Sequence, residues 1–266
     1  MRSYISKELK KIDYKYNFSV CTLVTNHSEY HEMIKSFEKS GFNENNTNFY
    51  FIDNSINNKS DAYDGLNKFL SISNSRYTII CHQDVRLNYD NKMNLELKID
   101  EINLIDPNWA ILGNAGGDSN FSKLHIRITD PHGADKNTSN FPFKVDSLDE
   151  NFLLIKNGLN IGVSNDLKGF HFYGTDICIQ AKIRGYSSYV IDFHLKHLSK
   201  GKLDLNFEKC KNQLIKKYEL AFKYRFIQSS CSLLFISASS KLNLIFNNKI
   251  ILKLKEHIDK IHNNTR

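Results

Sequence analysis

Proline and glycine are scarce in this sequence, with 3 and 12 of the 266 residues. That scarcity excludes a collagen-like repeat and a proline-rich disordered chain. No apolar stretch reaches the roughly 18 residues of a membrane-spanning helix, and the start, MRSYISKELKK, lacks the apolar core of a signal peptide. Hydrophobic residues make up 41% of the chain, which is enough to bury the core of one large domain.

Cysteine is also uncommon, and no two cysteines form a CxxC pair. The five cysteines are Cys21, Cys81, Cys178, Cys210 and Cys231. An odd number of cysteines, several of them in apolar runs, is typical of buried reduced thiols rather than of a disulfide framework. We therefore expect a cytoplasmic protein.

Acidic residues are few in the last part of the chain. Residues 208–266 carry 12 Lys and Arg against 4 Asp and Glu, a net charge of +8, whereas the whole chain carries +7. The nearly neutral remainder argues against a nucleic-acid-binding protein. The basic tail also contains an apolar run at residues 226–239, a combination that favours peripheral contact with the anionic inner face of a membrane. A helical cap with solvated lysines, or a homodimer interface, would have the same composition.

The first 200 residues alternate between strand-like and helix-like segments, which predicts an α/β sheet. The predicted strands are residues 18–25, 48–52, 77–81, 109–112, 151–155 and 188–193. The predicted helices are residues 30–42, 61–71, 91–105 and 176–184, the last capped by Thr175. Residues 118–144 lack a sustained period and predict strand-and-loop excursions. We expect one domain at 1–203 and a helical, basic extension at 204–266.

The segment RYTIICHQDVRL is the most informative of these. Its apolar run at residues 77–81 is too short for a helix and is β-branched at its centre, so it predicts a buried strand. The strand ends at His82, Gln83 and Asp84. The carboxyl ends of strands in open α/β sheets are where ligands bind, and Asp and His are ligands for divalent cations. A polar turn without function would have the same local sequence.

Further acids and imidazoles fall at the ends of predicted elements. Asp53 follows the second strand, where it could also be a turn residue. Asp176 lies in the first turn of a helix, where the helix dipole favours a carboxylate in any case. His194 and His197 follow the last predicted strand, and each could be a surface imidazole. The order strand, acid, strand, His-x-Asp, capped acid, strand, His is the feature that favours a site.

Four segments then resemble a known family over about residues 17–201. The segments are VTNHSEYHEMIKSF, FIDNS, SDAYDGLNKFLSISNSRYTIICHQDV and GFHFYGTDICIQAKIRGYSSYVIDFHLKHLSKG. They resemble the glycosyltransferases of the GT-A fold, in the bacterial family-2-like group: its first strand and helix, its second-strand acid, its HQDV motif, and its acceptor-side helix with the terminal His-x-Ser-x-Gly-like element. His82 replaces the first Asp of the usual Asp-x-Asp motif, and Asp64 stands where Asn is expected.

The resemblance implies a mixed sheet flanked by helices and an inverting, metal-dependent glycosyltransferase. A bound Mn²⁺ or Mg²⁺ would stabilise the charge of the departing nucleoside diphosphate. We expect Asp84 and His197 as metal ligands, with His194 as the alternative imidazole, and Asp176 as the catalytic base. The residues expected to bind the nucleotide-sugar, most commonly a UDP-sugar, are Asn26, Asp53, His82, Gln83 and Asp84. Asp149 and Glu150 are reserve candidates on the acceptor side, where a glycan or a lipid-linked acceptor would bind.

Two other functions remain open. A nucleotidyltransferase also uses an α/β sheet with acidic metal ligands, but the sequence after the first strand has no Gly-rich, Lys-containing phosphate loop. A non-catalytic domain that binds nucleotide-sugars or carbohydrates would retain the same fold. The sequence does not encode the identity of the sugar, because donor choice depends on loop contacts within residues 114–144.

Overall fold

The computed structural model describes residues 12–119, 124–137, 140–201, 205–228 and 232–264. The chain divides into two units, Met1–Lys211 and Asn212–Arg266. The domain boundary predicted between residues 203 and 204 falls in a segment, 202–204, that lies outside the described residues. The two-domain assignment therefore stays a prediction.

The first unit alternates strands and helices. Its helices are α1 (His27–Lys39), α2 (Ala62–Ile72), α3 (Lys92–Ile105) and α4 (Tyr173–Ile183), and α5 (Leu205–Phe222) contains the boundary with the second unit. Its strands are β1 (Tyr16–Val24), β2 (Thr47–Asp53), β3 (Ser75–Cys81), β4 (Val85–Arg86), β5 (Trp109–Gly113), β6 (Ala115–Gly117), β7 (Leu124–Asp130), β8 (Gly133–Asn137), β9 (Phe143–Val145), β10 (Ser147–Leu148), β11 (Phe152–Lys156), β12 (Ser187–Val190) and β13 (Leu195–His197).

Seven of the described strands form the main sheet, in the order β2-β1-β3-β11-β5-β12-β9. β1 is parallel to β2 and β3, and β12 is parallel to β5, whereas β11 runs antiparallel between β3 and β5. Strands β1, β2, β3, β5 and β12 therefore end at one edge, here called the carboxyl edge. β11 begins there, with Phe152 opposite Cys81. Residues that follow β3 and residues that precede β11 consequently meet at this edge.

A second sheet joins β10, β6, β7, β13 and β4 in that order, with β8 paired to β7 among the described strands. Its pair β13–β4 is antiparallel, with His197 opposite Val85. The strand predicted at residues 188–193 ends earlier than expected, and the chain then forms β13. His197 therefore lies at the end of a strand rather than in the loop that was predicted to follow the last strand.

The core explains why the central strands are so apolar. β5 (WAILG) is buried throughout and β11 (FLLIK) is buried except at its last residue, as expected for strands covered on both faces. Trp109 stacks on Tyr77 with ring centroids 5.9 Å apart, and its indole N–H donates to Asn103. The prediction of a mixed α/β sheet flanked by helices is confirmed.

The start of α4 differs from the prediction. The helix begins at Tyr173, its N-cap Phe172 has a φ of 66°, and no side chain of the N-cap residue accepts a helical N–H. Glu150 accepts from the backbone N–H of Gly174 instead, at 3.3 Å. The predicted cap, Thr175, hydrogen-bonds with Ser147 at 2.7 Å, so that prediction is wrong because a distant carboxylate supplies the acceptor.

The second unit differs more from its prediction as an entirely helical extension. It contains an antiparallel hairpin, β14 (Arg225–Gln228) and β15 (Leu233–Ile236), followed by α6 (Ser240–Phe246) and α7 (Lys249–Asn264). Phe226 lies opposite Phe235 in the hairpin, with ring centroids 5.0 Å apart, and the ring of Phe246 lies 4.8 Å from that of Phe235. These aromatic contacts pack the two strands of the hairpin, which take up much of the described part of the apolar run at 226–239, and the buried Phe235 lies at their centre.

Two further expectations concern membrane-spanning helices and the state of the cysteine thiols. Among the described helices, none combines the length and the apolar content needed to cross a bilayer. Four described cysteines are free and buried, as expected: Cys21, Cys81, Cys178 and Cys210. The fifth, Cys231, lies outside the described residues.

Candidate functional site

Three side chains that could bind a metal meet at the carboxyl edge. The ligand atoms of His82, Asp84 and His197 all lie within 4.8 Å of one another. His82 Nδ1 is 3.4 Å from His197 Nε2, and His197 Nε2 is 3.3 Å from Asp84 Oδ1. We call these three residues the His-Asp-His cluster.

Backbone hydrogen bonds hold the cluster from both sides. The chain turns directly after β3, where Val85 N–H donates to the carbonyl of His82 at 3.2 Å. Leu198 N–H donates to the carbonyl of Asp84 at 3.1 Å, next to the β13–β4 pair. Residues more than 100 positions apart in sequence are thus joined by strand pairing rather than by flexible loops.

The electrostatics of the cluster separate its two imidazoles. Burial opposes the charge of Asp84, but the hydrogen bond and charge of His197 outweigh it and hold the pKa of Asp84 well below its usual range. Burial likewise opposes protonation of His197, and the hydrogen bond and charge of Asp84 outweigh it, so the pKa of His197 is raised. For His82, burial and then the charge of His197 lower the pKa. Protonation is therefore favoured at His197 and disfavoured at His82.

Tyr173 determines which nitrogen of His82 faces the cluster. Its hydroxyl donates to the carbonyl of Glu150 at 3.2 Å and lies 3.0 Å from His82 Nε2. In the tautomer that carries its proton on Nε2, His82 donates to the tyrosine oxygen, and the lone pair of Nδ1 is free to bind a metal. Nδ1 is the ring nitrogen that faces His197, and Tyr173 contacts the opposite nitrogen, as outer partners do when they orient a histidine in a metal site. Tyr173 was not among the predicted site residues, and the aromatic stretch GFHFYG before Asp176 was the signal for it.

The turn formed by His82, Gln83 and Asp84 is here called the HQD turn, and Gln83 joins it to the start of α1. Its Oε1 accepts from the backbone N–H groups of Thr25 and Asn26 at 2.8 and 2.9 Å. Its Nε2 donates to Thr25 Oγ1 at 3.0 Å and to Glu29 at 2.9 Å. Asn26 is itself the N-cap of α1. Both residues border the site predicted for the nucleotide-sugar, but these side-chain oxygens are bonded to the protein, so the predicted donor contacts stay predictions.

Asp53 ends β2 at the same edge. Its carboxylate accepts from the N–H and hydroxyl of Ser55 at 3.0 and 2.6 Å and lies 3.3 Å from His27 Nε2. The Ser55 hydrogen bonds lower the pKa of Asp53 to about 2. Asp53 is therefore a constant negative charge at neutral pH, suited to accepting hydrogen bonds from a ribose or a base.

A cleft with a volume of about 240 Å³ opens between these elements. It contains an apolar wall and the HQD turn. Its lining residues are Leu23, Thr25, Asn54, Ala62, Leu66, Ile80, Cys81, His82, Gln83, Asp84, Phe170 and Tyr173. A concave, mainly apolar cleft with a few convergent polar groups is typical of a small-molecule site.

The reserve candidates Asp149 and Glu150 lie beside the cluster. Asn151, the next residue, accepts from His82 N–H at 3.1 Å through its carbonyl. Asp149 is exposed, and its negative charge acts on both His82 and His197. For Glu150, burial and then the charge of Asp149 raise the pKa to about 8.

Asp176 and His194 have other partners. Asp176 is fully buried and accepts from the N–H and the hydroxyl of Ser164 at 2.7 and 2.8 Å. His194 is buried, bonds Thr129 Oγ1 through Nε2 at 2.9 Å and stacks on Tyr89. The structure brings His197 rather than His194 to Asp84, and it places Asp176 outside the residues that line the cleft. The assignment of the base to Asp176 stays a prediction.

The raised pKa of Glu150 predicts a pH-dependent stability. Glu150 retains its proton in the folded protein up to about pH 8 but loses it near 4.5 in the unfolded chain. Its contribution is therefore full below pH 4.5 and is lost as the pH rises towards 8. Between pH 4.5 and 8 we expect the free energy of unfolding of the wild type to fall by roughly 1–3 kcal/mol more than that of Glu150→Gln, a range that allows for screening by solvent. Thermal unfolding at a series of pH values measures the difference. Parallel pH profiles for the two proteins would show that Glu150 titrates normally.

Comparisons with known proteins give a relative but no domain family. No family model matches the chain. The mannosyltransferase PcManGT from Pyrobaculum calidifontis, solved with GDP-Man and Mn²⁺, superposes with a TM-score of 0.46 and 12% identity over 69% of this chain and 57% of that one. TarS from S. aureus superposes with a TM-score of 0.48 and 12% identity over 69% of this chain and 37% of that one.

A curated protein of Fuscovulum blasticum, described as "ATP synthase subunits region ORF 6", is 34% identical over 215 residues. The match spans 79% of this chain and 86% of that protein. The chain therefore belongs to the family of the Fuscovulum blasticum ORF 6 protein.

Proposed function

We propose that this protein is a metal-dependent, inverting glycosyltransferase of the GT-A fold, which moves a sugar from a nucleoside-diphospho-sugar to a glycan or a lipid-linked acceptor of a surface polysaccharide. The observation that carries the proposal is the His-Asp-His cluster at the carboxyl edge, beside a cleft. The residues that form the cluster and the acid of β2 are also those in the segments that resemble the bacterial family-2-like group. The donor that we propose is a UDP-sugar.

The cluster fits a divalent cation. Metal–ligand distances of about 2.1 Å place adjacent ligand atoms roughly 3.0–3.4 Å apart. The separations from His197 Nε2 to Asp84 Oδ1 and to His82 Nδ1 are 3.3 and 3.4 Å, and all three ligand atoms lie within 4.8 Å of one another. A carboxylate with two imidazoles suits Mn²⁺ better than Ca²⁺, and Mg²⁺ remains the alternative. A bound cation would act as a Lewis acid towards the departing diphosphate. His197 must give up its proton to act as a ligand, so metal affinity should fall as the pH is lowered.

The other residues of the cleft orient the cluster and exclude water from the bound donor. Tyr173 contacts Nε2 of His82, which leaves Nδ1 facing the cluster, and Gln83 keeps the HQD turn against α1. Asp53 offers an ionised acceptor at the end of β2, where the ribose or base of a nucleotide would lie. The apolar wall formed by residues such as Leu23 and Leu66 removes water from one side of the bound donor.

Deprotonation of the acceptor requires a carboxylate beside the cluster. Asp149 is exposed and close enough for its charge to act on both imidazoles, whereas the carboxylate of Asp176 is buried on Ser164. Glu150 accepts from the first turn of α4, which is a structural role. We therefore propose Asp149 as the acceptor-side base, ahead of Asp176.

The set of metal-binding residues favours one other function. Two histidines and one carboxylate with open positions also bind Fe(II) in non-haem oxygenases. An oxygenase would need Fe(II) and O₂, whereas a glycosyltransferase works without oxygen. Activity that disappears under anaerobic conditions would favour the oxygenase.

A screen of nucleotide-sugars by thermal unfolding, with and without Mn²⁺, tests the proposal. A donor at 100 times its Kd stabilises the folded state by about 2.7 kcal/mol, which corresponds to a rise in Tm of roughly 5–10 °C for a chain of this size. The stabilising nucleotide-sugar should also be hydrolysed slowly only when Mn²⁺ is present. Stabilisation without hydrolysis would identify a binding domain, turnover of nucleoside triphosphates would identify a nucleotidyltransferase, and no effect of any nucleotide would contradict the proposal.

A further inference from the structure

Helix α7 has an apolar face that the described structure leaves exposed. The face consists of four side chains at positions i, i+4, i+8 and i+11. They are Ile250, Leu254, Ile258 and Ile261, with 70%, 56%, 53% and 53% of their surface accessible. At about 100° per residue these positions fall within an arc of roughly 80°. We call them the α7 stripe.

The stripe differs from the side of α7 that is half-buried. Ile251 and Leu252 are partly buried and project roughly 100–200° from Ile250 on the helical wheel. The helix therefore has more apolar surface than its own packing uses. Single exposed apolar residues are common, but a continuous row on one helix indicates a surface that contacts something else.

Charge indicates what contacts the stripe. The exposed lysines Lys249 and Lys253 lie on the flank of the stripe, and residues 208–266 carry a net charge of +8. Lysines beside an apolar stripe are the pattern of helices that lie in the headgroup region of an anionic bilayer. A second copy of the chain would present the same positive charge and would be repelled, whereas an anionic surface would be attracted.

The structure also changes where a membrane contact could be. The sequence suggested such a contact from the apolar run at 226–239, but β14 and β15 of the hairpin lie largely within this run, and Phe235 is buried between Phe226 and Phe246. That run is used for packing within the second unit. In α6, Leu244 is 81% accessible and adds to the exposed apolar surface of the same unit.

We propose that α7 binds the surface of an anionic lipid bilayer, with the α7 stripe inserted among the acyl chains and the flanking lysines at the headgroups. This contact does not depend on the transferase chemistry of the first unit. It would place the protein where lipid-linked molecules are found.

Flotation of the full-length chain with vesicles tests the proposal. Vesicles of phosphatidylcholine mixed with phosphatidylglycerol should bind the protein at low salt, binding should weaken as salt rises, and vesicles of phosphatidylcholine alone should bind it less. In the double variant Leu254→Ser/Ile258→Ser, the partition coefficient should fall by about tenfold or more for each apolar side chain removed. The matched control is Leu97→Ser/Leu104→Ser on α3, whose side chains are also exposed, at 59% and 88%, and this variant should bind vesicles as the wild type does.

Two results would overturn the proposal. The first is a full-length protein that ignores the mixed vesicles at low salt. The second is a Leu254→Ser/Ile258→Ser variant that binds vesicles as the wild type does. If that variant also changes from dimer to monomer in sedimentation, the stripe belongs to the contact with a second copy of the chain. Lys249→Gln/Lys253→Gln should bind more weakly and show a smaller salt dependence, and unchanged salt dependence would remove the lysines from the contact. Circular dichroism of each variant checks that the fold is kept.

Discussion

Asp84→Asn should reduce sugar transfer by about a thousandfold or more, because it removes the only carboxylate among the three ligands of the cluster and the electrostatic stabilisation of the leaving group that this ligand supports. Steady-state kinetics with the donor found in the thermal screen, at saturating Mn²⁺, measures the loss. Direct titration with Mn²⁺ should show a loss of affinity larger than the roughly 10- to 100-fold that changes outside the ligand shell produce.

Asp106→Asn is the matched control for this variant. Asp106 follows α3 and accepts hydrogen bonds from the hydroxyl of Tyr189 and from the N–H of Asn108, both at 2.9 Å. Burial raises the pKa of Asp106, but these hydrogen bonds outweigh it, so the pKa is lowered. The chemical change is the same, but the site lies away from the cleft, so Mn²⁺ affinity and transfer should be unchanged apart from a modest loss of stability. Normal turnover by Asp84→Asn in metal-replete buffer would show that the cluster does not hold the functional metal.

Asp149→Asn should lower kcat by about 10²- to 10⁴-fold, the range expected when a general base is removed. The substitution keeps the size of the side chain and can retain the hydrogen bond that Asp149 accepts from Asn151 N–H at 2.9 Å. Donor binding and Mn²⁺ affinity should therefore remain near the wild-type values. A pH profile of kcat that loses its acidic limb in the variant would identify the group as the base.

Asp176→Asn separates the two candidates for the base. Each oxygen of its carboxylate accepts one buried hydrogen bond from Ser164. The amide of Asn has only one oxygen, so it cannot accept both hydrogen bonds in the same geometry. We expect a loss of about 1–3 kcal/mol in the free energy of unfolding with near-normal kcat per folded molecule. If Asp176→Asn folds normally and loses transfer while Asp149→Asn retains it, the base is Asp176, as the family resemblance implies.

The strand that carries the site could be predicted from local sequence. A short β-branched run is recognisable because its apolar length matches a buried strand, and its end at His82 is marked by an abrupt change to polar residues. The same reasoning located β1, β2, β5 and β11, since each is an apolar segment bounded by polar turn residues. Residue type alone then made Asp84 the best candidate ligand of the turn.

The sequence offered His197 and His194 as distant partners of that turn, but local sequence could not decide between them or find Tyr173. His197 joins the cluster only because β13 pairs with β4, and a three-residue strand has too few residues for a recognisable period. Tyr173 orients His82 from a helix whose start depends on Glu150 rather than on a local cap. Choosing between His194 and His197 therefore required the pairing of strands.

In residues 208–266, the sequence alone determines the charge and the apolar content, whereas tertiary packing determines which apolar side chains are exposed. The excess of lysine and the apolar content of residues 208–266 are properties of the sequence itself. Which apolar residues are buried depended on the hairpin, where cross-strand pairing puts Phe226 against Phe235, leaving the α7 stripe exposed. The sequence by itself determined the α/β alternation, the His-Gln-Asp turn and the charge of the tail, because each is a local pattern. Only the tertiary structure decided that His197 rather than His194 meets Asp84, that His82 joins them beside Tyr173 and that one face of α7 is exposed, because each depends on contacts between residues far apart in the chain.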